Sequence, residues 1–262
     1  MELKIMTFNV LNGWNTTKIG ERDDLAADVI LRELPDVLCL QEFDPCYRQA
    51  ENPLQDLIAT HYTEAGNAHT SWNPIFYNHH KLRAVACGEV PFSLGTSYDY
   101  PGPGGGRSAF RTVFHALLED VQTAERFLVL NLHYDMCKDP EERAANQAHE
   151  CRQAVALAQE LCAQHGVEAL FVTGDYNARI DGVPCAYMLE NGFTDTHAVA
   201  IERDDRGSCS RLGEPLWGDY SHAIDHVLYL GKRPLTVRKY RTIDSIRAAS
   251  DHAPVCVCVS LA

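Results

Sequence analysis

The residues best suited to chemistry stand at the ends of apolar runs. Leu170-Phe171-Val172-Thr173 reads as a buried strand, Gly174 frees the backbone, and Asp175 and Asn177 emerge two positions apart. A carboxylate there can accept a proton or aim a water, and an amide can hold an oxyanion. Asp and Asn also shape ordinary turns, so the pair by itself does not separate chemistry from chain reversal. Its company does. Asn9 nears the end of an alternating stretch over residues 3–10, Glu42 follows Val37-Leu38-Cys39-Leu40-Gln41, and His133 and Asp135 end a run that starts at Arg126. Asp225 sits just inside the run 222–230, and Asp251-His252 stands before the run 255–259. His133 and Asp135, two apart, share one face of their strand's end. Acids, amides and imidazoles delivered to strand ends are how α/β proteins assemble sites.

Strands and crossovers must carry those positions. A helix is expected from Glu21-Arg22-Asp23-Asp24 onward, with Leu25, Val29, Ile30 and Leu34 on one face and Pro35 as its stop. With its flanking strands it forms a β–α–β unit that brings Asn9 and Glu42 to one sheet edge. Residues 54–59 read as a short helix. Residues 74–77 and 82–85 read as strands of a hairpin joined by Asn78-His79-His80-Lys81. Residues 95–107 are aperiodic and glycine-rich, as in a binding loop, and Tyr98, Tyr100 and Arg107 offer stacking surfaces and a fork for anions. The glycines before Arg107 suit a phosphate cradle but match no P-loop consensus. A strand over 109–118 contains Arg111. Asp139-Pro140 with Glu142 caps a long helix that carries Ala144, Ala148, Cys151, Val155, Ala158 and Cys162 on one face and ends at Gly166. That helix is a crossover into the strand that leads to Asp175. A further short helix closes at Asn191-Gly192, and residues 201–218 read as a surface loop. No repeat, linker or low-complexity tail divides residues 1–262, so one domain is expected.

Composition narrows the functions. With 45% hydrophobic residues, the 262-residue chain can bury a substantial core. Its 23 Lys and Arg against 36 Asp and Glu leave a formal charge of -13, a field that repels polyanions and disfavours extended, non-specific nucleic-acid binding. Ten cysteines show no C-x-x-C spacing for zinc. Cys39 lies in an apolar run, and Cys256 and Cys258 alternate with valines, as small buried hydrophobes of a reducing compartment do. A cytoplasmic location is expected. The N-terminus runs into a strand with no leader pattern, and no apolar run reaches the length of a membrane span.

In order along the chain, the stretches Thr-Phe-Asn-Val, Leu-Gln-Glu, Ile-Phe-Tyr, Asn-Leu-His-Tyr-Asp, Thr-Gly-Asp-Tyr-Asn, Gly-Phe-Thr-Asp-Thr, Ile-Asp-His-Val and Ser-Asp-His-Ala-Pro resemble the endonuclease/exonuclease/phosphatase superfamily, also described as DNase I-like. Each is unspecific alone; the ordered set spans nearly the whole chain. The resemblance implies the α/β class: a four-layer α/β/β/α sandwich of two mixed, mainly antiparallel β-sheets, with a metal-dependent phosphoesterase site at one edge. Phosphate-ester hydrolysis puts charge on phosphoryl oxygens, and a hard cation such as Mg²⁺ or Mn²⁺ on oxygen ligands stabilises it. On the resemblance Glu42 is the first metal ligand, with Asn9 beside it and Asp251 in reach. Asp175 orients or deprotonates the attacking water, and Asn177 holds a phosphoryl oxygen. His252, paired with Asp225, is expected to be cationic and to stabilise the developing charge or protonate the leaving group, since a neighbouring carboxylate raises an imidazole pKa. His133 matches a second phosphate-facing position. Arg107, Arg111, Asp135 and Tyr98 are expected to touch substrate. The sequence departs from the family twice: Ala223 stands where an Arg often precedes Ile-Asp, and the Arg-x-x-Gln of the long helix falls ambiguously among Arg143, Asn146 and Gln147.

The leading function is hydrolysis of a phosphate ester or phosphodiester of a small or soluble substrate. A DNA or RNA nuclease comes second, opposed by the charge and by the lack of a basic, aromatic-interleaved run. A catalytically silent binding domain comes third, because no mapped catalytic position carries an inert residue.

Overall fold

The computed structural model of the protein describes residues 1–12, 19–43, 47–48, 53–66, 71–93, 111–244 and 248–262; Tyr98, Tyr100 and Arg107 lie outside them. One sheet has seven strands: β1 (Glu2–Asn9), β2 (Val37–Gln41), β3 (Tyr62–Glu64), β4 (Ile75–Asn78), β10 (Glu202–Arg203), β12 (Leu235–Thr242) and β13 (Val255–Leu261), in the order β10-β12-β13-β1-β2-β4-β3. The other has six: β5 (Leu82–Pro91), β6 (Thr112–Asp120), β7 (Arg126–His133), β8 (Ala169–Asp175), β9 (Thr194–Asp195) and β11 (Asp225–Gly231), in the order β5-β6-β7-β8-β11-β9. Only β1–β2, β10–β12 and β7–β8 pair in parallel among the described strands.

Three apolar clusters set the layers. Ile5, Val37, Phe127, Phe171 and Val257 pack in the cluster between the sheets. Met6, Phe8, Leu38 and Leu40 point the other way, onto α1 (Ile19–Glu33) and α2 (Leu54–Leu57). Leu128, Leu130, Leu170 and Val172 cover α3 (Pro140–His165) and α4 (Val183–Glu190). The result is the four-layer α/β/β/α sandwich. Because β1, β2, β7 and β8 are apolar on both faces, they are the strands that can lie in the middle of such a stack. Cys39, Cys151, Cys185 and Cys256 are buried among these clusters.

Local details correct several expectations. The strands β4 and β5 do not form a hairpin: β4 lies between β2 and β3, so both its edges are occupied, and β5 pairs with β6 in the other sheet. The turn after Asn78 therefore steps between the sheets. In α1 the buried side is Ala26, Ala27, Val29 and Ile30, while Leu25 and Leu34 are exposed. The helix is rotated by its need to seat Arg22, whose buried guanidinium reaches the carbonyls of Ala249, Val10 and Leu11. Asp139 caps α3 as expected, accepting from the backbone N–H of Glu141 and Glu142, and Gly166 ends it at a φ of 63°. Its buried face, however, begins with Asn146, Gln147 and Glu150 rather than Ala144 and Ala148. Polar groups are wanted there because that turn faces the chain leaving β7 and β8.

Candidate active site

Register explains why residues far apart in sequence meet. Across β7, β8 and β11, His133 is level with Asp175 and Asp175 is level with Asp225, so three neighbouring strands present them side by side. In the other sheet, Asn9 is level with Gln41, and Glu42 follows one residue on. The strand β13 runs antiparallel to β1, so its N-terminal approach, Asp251-His252, arrives at the edge where β1 and β2 end. Parallel strands contribute their C-terminal ends and antiparallel ones their N-terminal ends. The two sheets are pinned at this edge by Gln41, whose amide donates to Asn131 Oδ1 at 2.6 Å, and by Asn131, which donates to the carbonyls of Leu40, Asn73 and Pro74.

The imidazoles and carboxylates form a chain. Asp225 Oδ2 lies 2.8 Å from His252 Nδ1, His252 Nε2 lies 3.7 Å from Asp175 Oδ2, and His133 Nε2 lies 3.3 Å from the same oxygen. Burial alone would neutralise His252, but the Asp225 and Asp175 carboxylates outweigh it and hold its pKa well above the ordinary histidine value. Burial likewise opposes ionised Asp175, and His133 and His252 reverse that, holding its carboxyl far below the usual carboxylate range. Beyond the contact of Nε2 with Asp175, neither buried ring nitrogen of His133 has a hydrogen-bond partner among the described residues. Asn177 accepts an unusual φ of 45°, donates its backbone N–H to Asp175 Oδ1 at 2.8 Å and its side-chain amide to Tyr134 O at 3.0 Å. Gly174 is needed for close approach rather than for a turn: at a φ of 148° a Cβ there would stand 2.0 Å from Leu132 O.

A second group of oxygens lies beside this chain. Asn9 Nδ2 donates to Glu42 Oε1 at 3.2 Å and to Asp175 Oδ2 at 3.0 Å, and Asn12 donates its backbone N–H to Glu42 Oε2 at 2.9 Å. Glu42 holds a φ of 59°, a strained value for this residue type, which costs roughly 1–3 kcal/mol and is characteristic of functional positions. Burial raises the Asp251 pKa, and the nearby Glu42 and Asp175 carboxylates add to the rise. Glu42 and Asp251, with Asn9 beside them and the His133 and His252 imidazoles nearby, offer carboxylate oxygens that suit a hard divalent cation, which would relieve the repulsion between the two. Asp175, Asp225 and His252 also offer ligand atoms within 4.8 Å of one another. They suit a metal less well, because His252 Nδ1 is committed to Asp225.

The model of the Endonuclease/Exonuclease/phosphatase family matches residues 6–252. The chain belongs to that family. Nothing among curated protein sequences matches it. Among solved structures, a mannosyl-6-phosphatase of Bacteroides thetaiotaomicron is similar at 20% identity and a TM-score of 0.77, over 99% of each chain. The human Nocturnin catalytic domain with bound sulfate is similar at 18% identity and 0.73, over 100% of this chain and 95% of that one. TDP2 of D. rerio with a single-strand DNA product is similar at 17% identity and 0.69, over 99% of each. At such identities the structures establish a shared fold, and membership of the endonuclease/exonuclease/phosphatase family places the chain among phosphoesterases.

The departures from the family pattern now have physical content. Gln147 is the residue of α3 that serves the site: its amide donates to Asp135 O at 2.8 Å, Asn177 O at 3.2 Å and Tyr176 O at 3.4 Å, tying the chain after β7 to the chain after β8. Ala223 is buried in the cluster between the sheets, and support for Asp225 comes instead from Ser208, whose hydroxyl lies 2.6 Å from Asp225 Oδ2. Nothing in the sequence singled out Ser208, since it falls in the stretch read as surface loop; only its position after Gly207 hints at a chain that must turn inward. Two residues expected to touch substrate are engaged with the protein itself. Arg111 is buried and donates to the carbonyls of His133 and Tyr134. Asp135 is buried too, and its carboxylate turns away to Asn146 and the N–H of Cys137. The strand β7 ends at His133, so the two-residue alternation that would have aligned Asp135 with His133 no longer holds there.

Proposed function

We propose that the protein hydrolyses a phosphate monoester or diester of a small substrate with Mg²⁺ or Mn²⁺ as cofactor. The observation that carries this reading is the placement of His252, its Nδ1 2.8 Å from Asp225 Oδ2 and its Nε2 3.7 Å from Asp175 Oδ2, beside the separate oxygen group of Glu42, Asn9 and Asp251. That oxygen group would hold the cation, whose chemistry when bound is to withdraw charge from the phosphoryl oxygens. Asp175 orients the attacking water; a carboxyl held at so low a pKa is a better orienter than a base, and the water's proton leaves through it only as the new P–O bond forms. Asn177 has one side-chain N–H on Tyr134 O and presents the other to a phosphoryl oxygen. His133, whose Nε2 stands 3.3 Å from Asp175 Oδ2, faces the same group. His252 gives its proton to the leaving oxygen as the scissile P–O bond breaks.

A small substrate is supported by the charge of -13, which opposes a long polyanion, and by a phosphatase of a sugar phosphate among proteins of the same fold. Burial of Cys39, Cys151, Cys185 and Cys256 as apolar residues supports a reducing, cytoplasmic setting. No described helix is long and apolar enough to cross a membrane. Residues 1–262 read as one domain, since strands from both ends of the chain build the cluster between the sheets. The test is release of phosphate or alcohol from a phosphomonoester, a phosphodiester and an oligonucleotide, with Mg²⁺ and with excess chelator. Turnover that needs the cation and vanishes in Asp175→Asn and His252→Gln is expected; full turnover in chelator would refute the metal role, and a preference for the oligonucleotide would refute the substrate class.

A further inference from the structure

Asp225 opens β11 of one sheet and His252 lies just before β13 of the other, so their hydrogen bond is a contact across the sandwich that something must hold in register. The segment 208–210 does so. It lies antiparallel along 251–253: Ala253 N–H donates to Ser208 O at 2.8 Å, Cys209 bridges His252, and Ser210 N–H donates to Asp251 O at 2.7 Å. From the other side, the fully buried Ser208 hydroxyl accepts the backbone N–H of Ile224 and of Asp225, both at 3.0 Å. A hydroxyl has one proton and two acceptor sites. With both acceptor sites filled, its proton must go to Asp225 Oδ2 at 2.6 Å, the oxygen that also faces His252 Nδ1. Asp225 Oδ1 has no partner among the described residues, so the carboxylate's orientation rests on what reaches Oδ2 and on its own backbone.

We propose that Ser208 is a positioning residue of the reaction. It touches no reacting atom; it fixes the rotation of the Asp225 carboxylate, which fixes the aim of His252 and leaves Nε2 directed at the scissile group. One residue thereby clamps both members of the pair, Asp225 through its hydroxyl and the chain at His252 through its carbonyl. The inference rests on the proposed role of His252 as acid.

The experiment compares Ser208→Ala, Ser208→Cys and Ser208→Thr by two readouts. The first is the downfield imidazole N–H proton of the Asp225–His252 bond, seen by NMR in the cation-free protein and assigned by its absence in His252→Gln. The second is the split between kcat and KM. Thiols are weak hydrogen-bond partners, so Cys keeps the volume and loses the bond. Loss of the resonance and a fall in kcat of about 10–100-fold, the usual effect of removing such a supporting partner, with KM changed less than about threefold, are expected for Ala and Cys. Thr is expected to keep both. A folded Ser208→Cys protein with the wild-type resonance and kcat would overturn the proposal even if Ser208→Ala does not fold. Loss of both signals in a folded Ser208→Thr protein would assign the effect to packing and overturn it equally. A wild-type protein inert toward every phosphoester would defeat the proposed function instead, while the resonance still tests the Ser208 clamp.

Discussion

Glu150 should destabilise the protein as pH rises, and replacing it by Gln should remove that effect. Its side chain is fully buried on α3, accepts the Asp135 backbone N–H at 2.8 Å with one oxygen, and leaves the other oxygen without a partner among the described residues. Burial pushes its pKa from 4.5 up to about 8, against the pull of the nearby Arg111 guanidinium and the Asp135 N–H. Between these values the folded protein binds a proton that the unfolded chain has released, so stability falls with rising pH at about 1.36 kcal/mol per unit. The full penalty is about 5 kcal/mol above pH 8 and about 3 kcal/mol at pH 7. Gln is isosteric, accepts the same N–H and carries no charge. Urea denaturation of wild-type and Glu150→Gln at pH 5, 7 and 9 measures this directly. The midpoints should nearly coincide at pH 5 and differ by about 1 M at pH 7, for an m-value of about 3 kcal/mol/M, and by more at pH 9. Equal midpoints at all three values, or a gap that shrinks as pH rises, would refute the reasoning.

Gly174→Ala should fail to fold or lose at least about 3 kcal/mol, because the new Cβ would meet the Leu132 carbonyl in the neighbouring strand; soluble yield and thermal melting measure it. Activity should persist through neutral pH and decline on the alkaline side, since His252 must stay protonated and its pKa is held above 6.5 by Asp225 and Asp175. The stability this raised pKa contributes is complete below about 6.5 and is lost as pH climbs through the folded value, and Asp225→Asn should bring the alkaline limb of a pH–rate profile to lower pH. Trp217 is half exposed, and its backbone N–H reaches Cys209 O at 2.9 Å, one chain away from His252. Trp217→Ala should alter the relative rates on esters with different leaving groups with little change in melting temperature; unchanged ratios across such a panel would exclude this segment as the selector.

Much of the site was legible because strand ends announce themselves. An apolar run that stops at Asn9, Glu42, His133 or Asp175 says where a side chain leaves the core, and burial of the run on both faces says that the strand is central. The cap at Asp139 and the stop at Gly166 were equally local, since both depend on backbone groups within a turn of the residue itself. What the tertiary structure alone decided depends on pairing. Residues 74–77 and 82–85 look like a hairpin until β2 and β3 occupy both edges of β4, and nothing in four turn residues encodes that competition. The inward rotation of α1 is set by what Arg22 must reach near Val10 and Ala249, and the polar opening of α3 by the carbonyls that Gln147 must meet. Ser208 was invisible for the same reason. A serine's role depends on which groups stand within 3 Å of its hydroxyl, and here those groups lie 16 and 17 residues away, brought there by two sheets closing on each other.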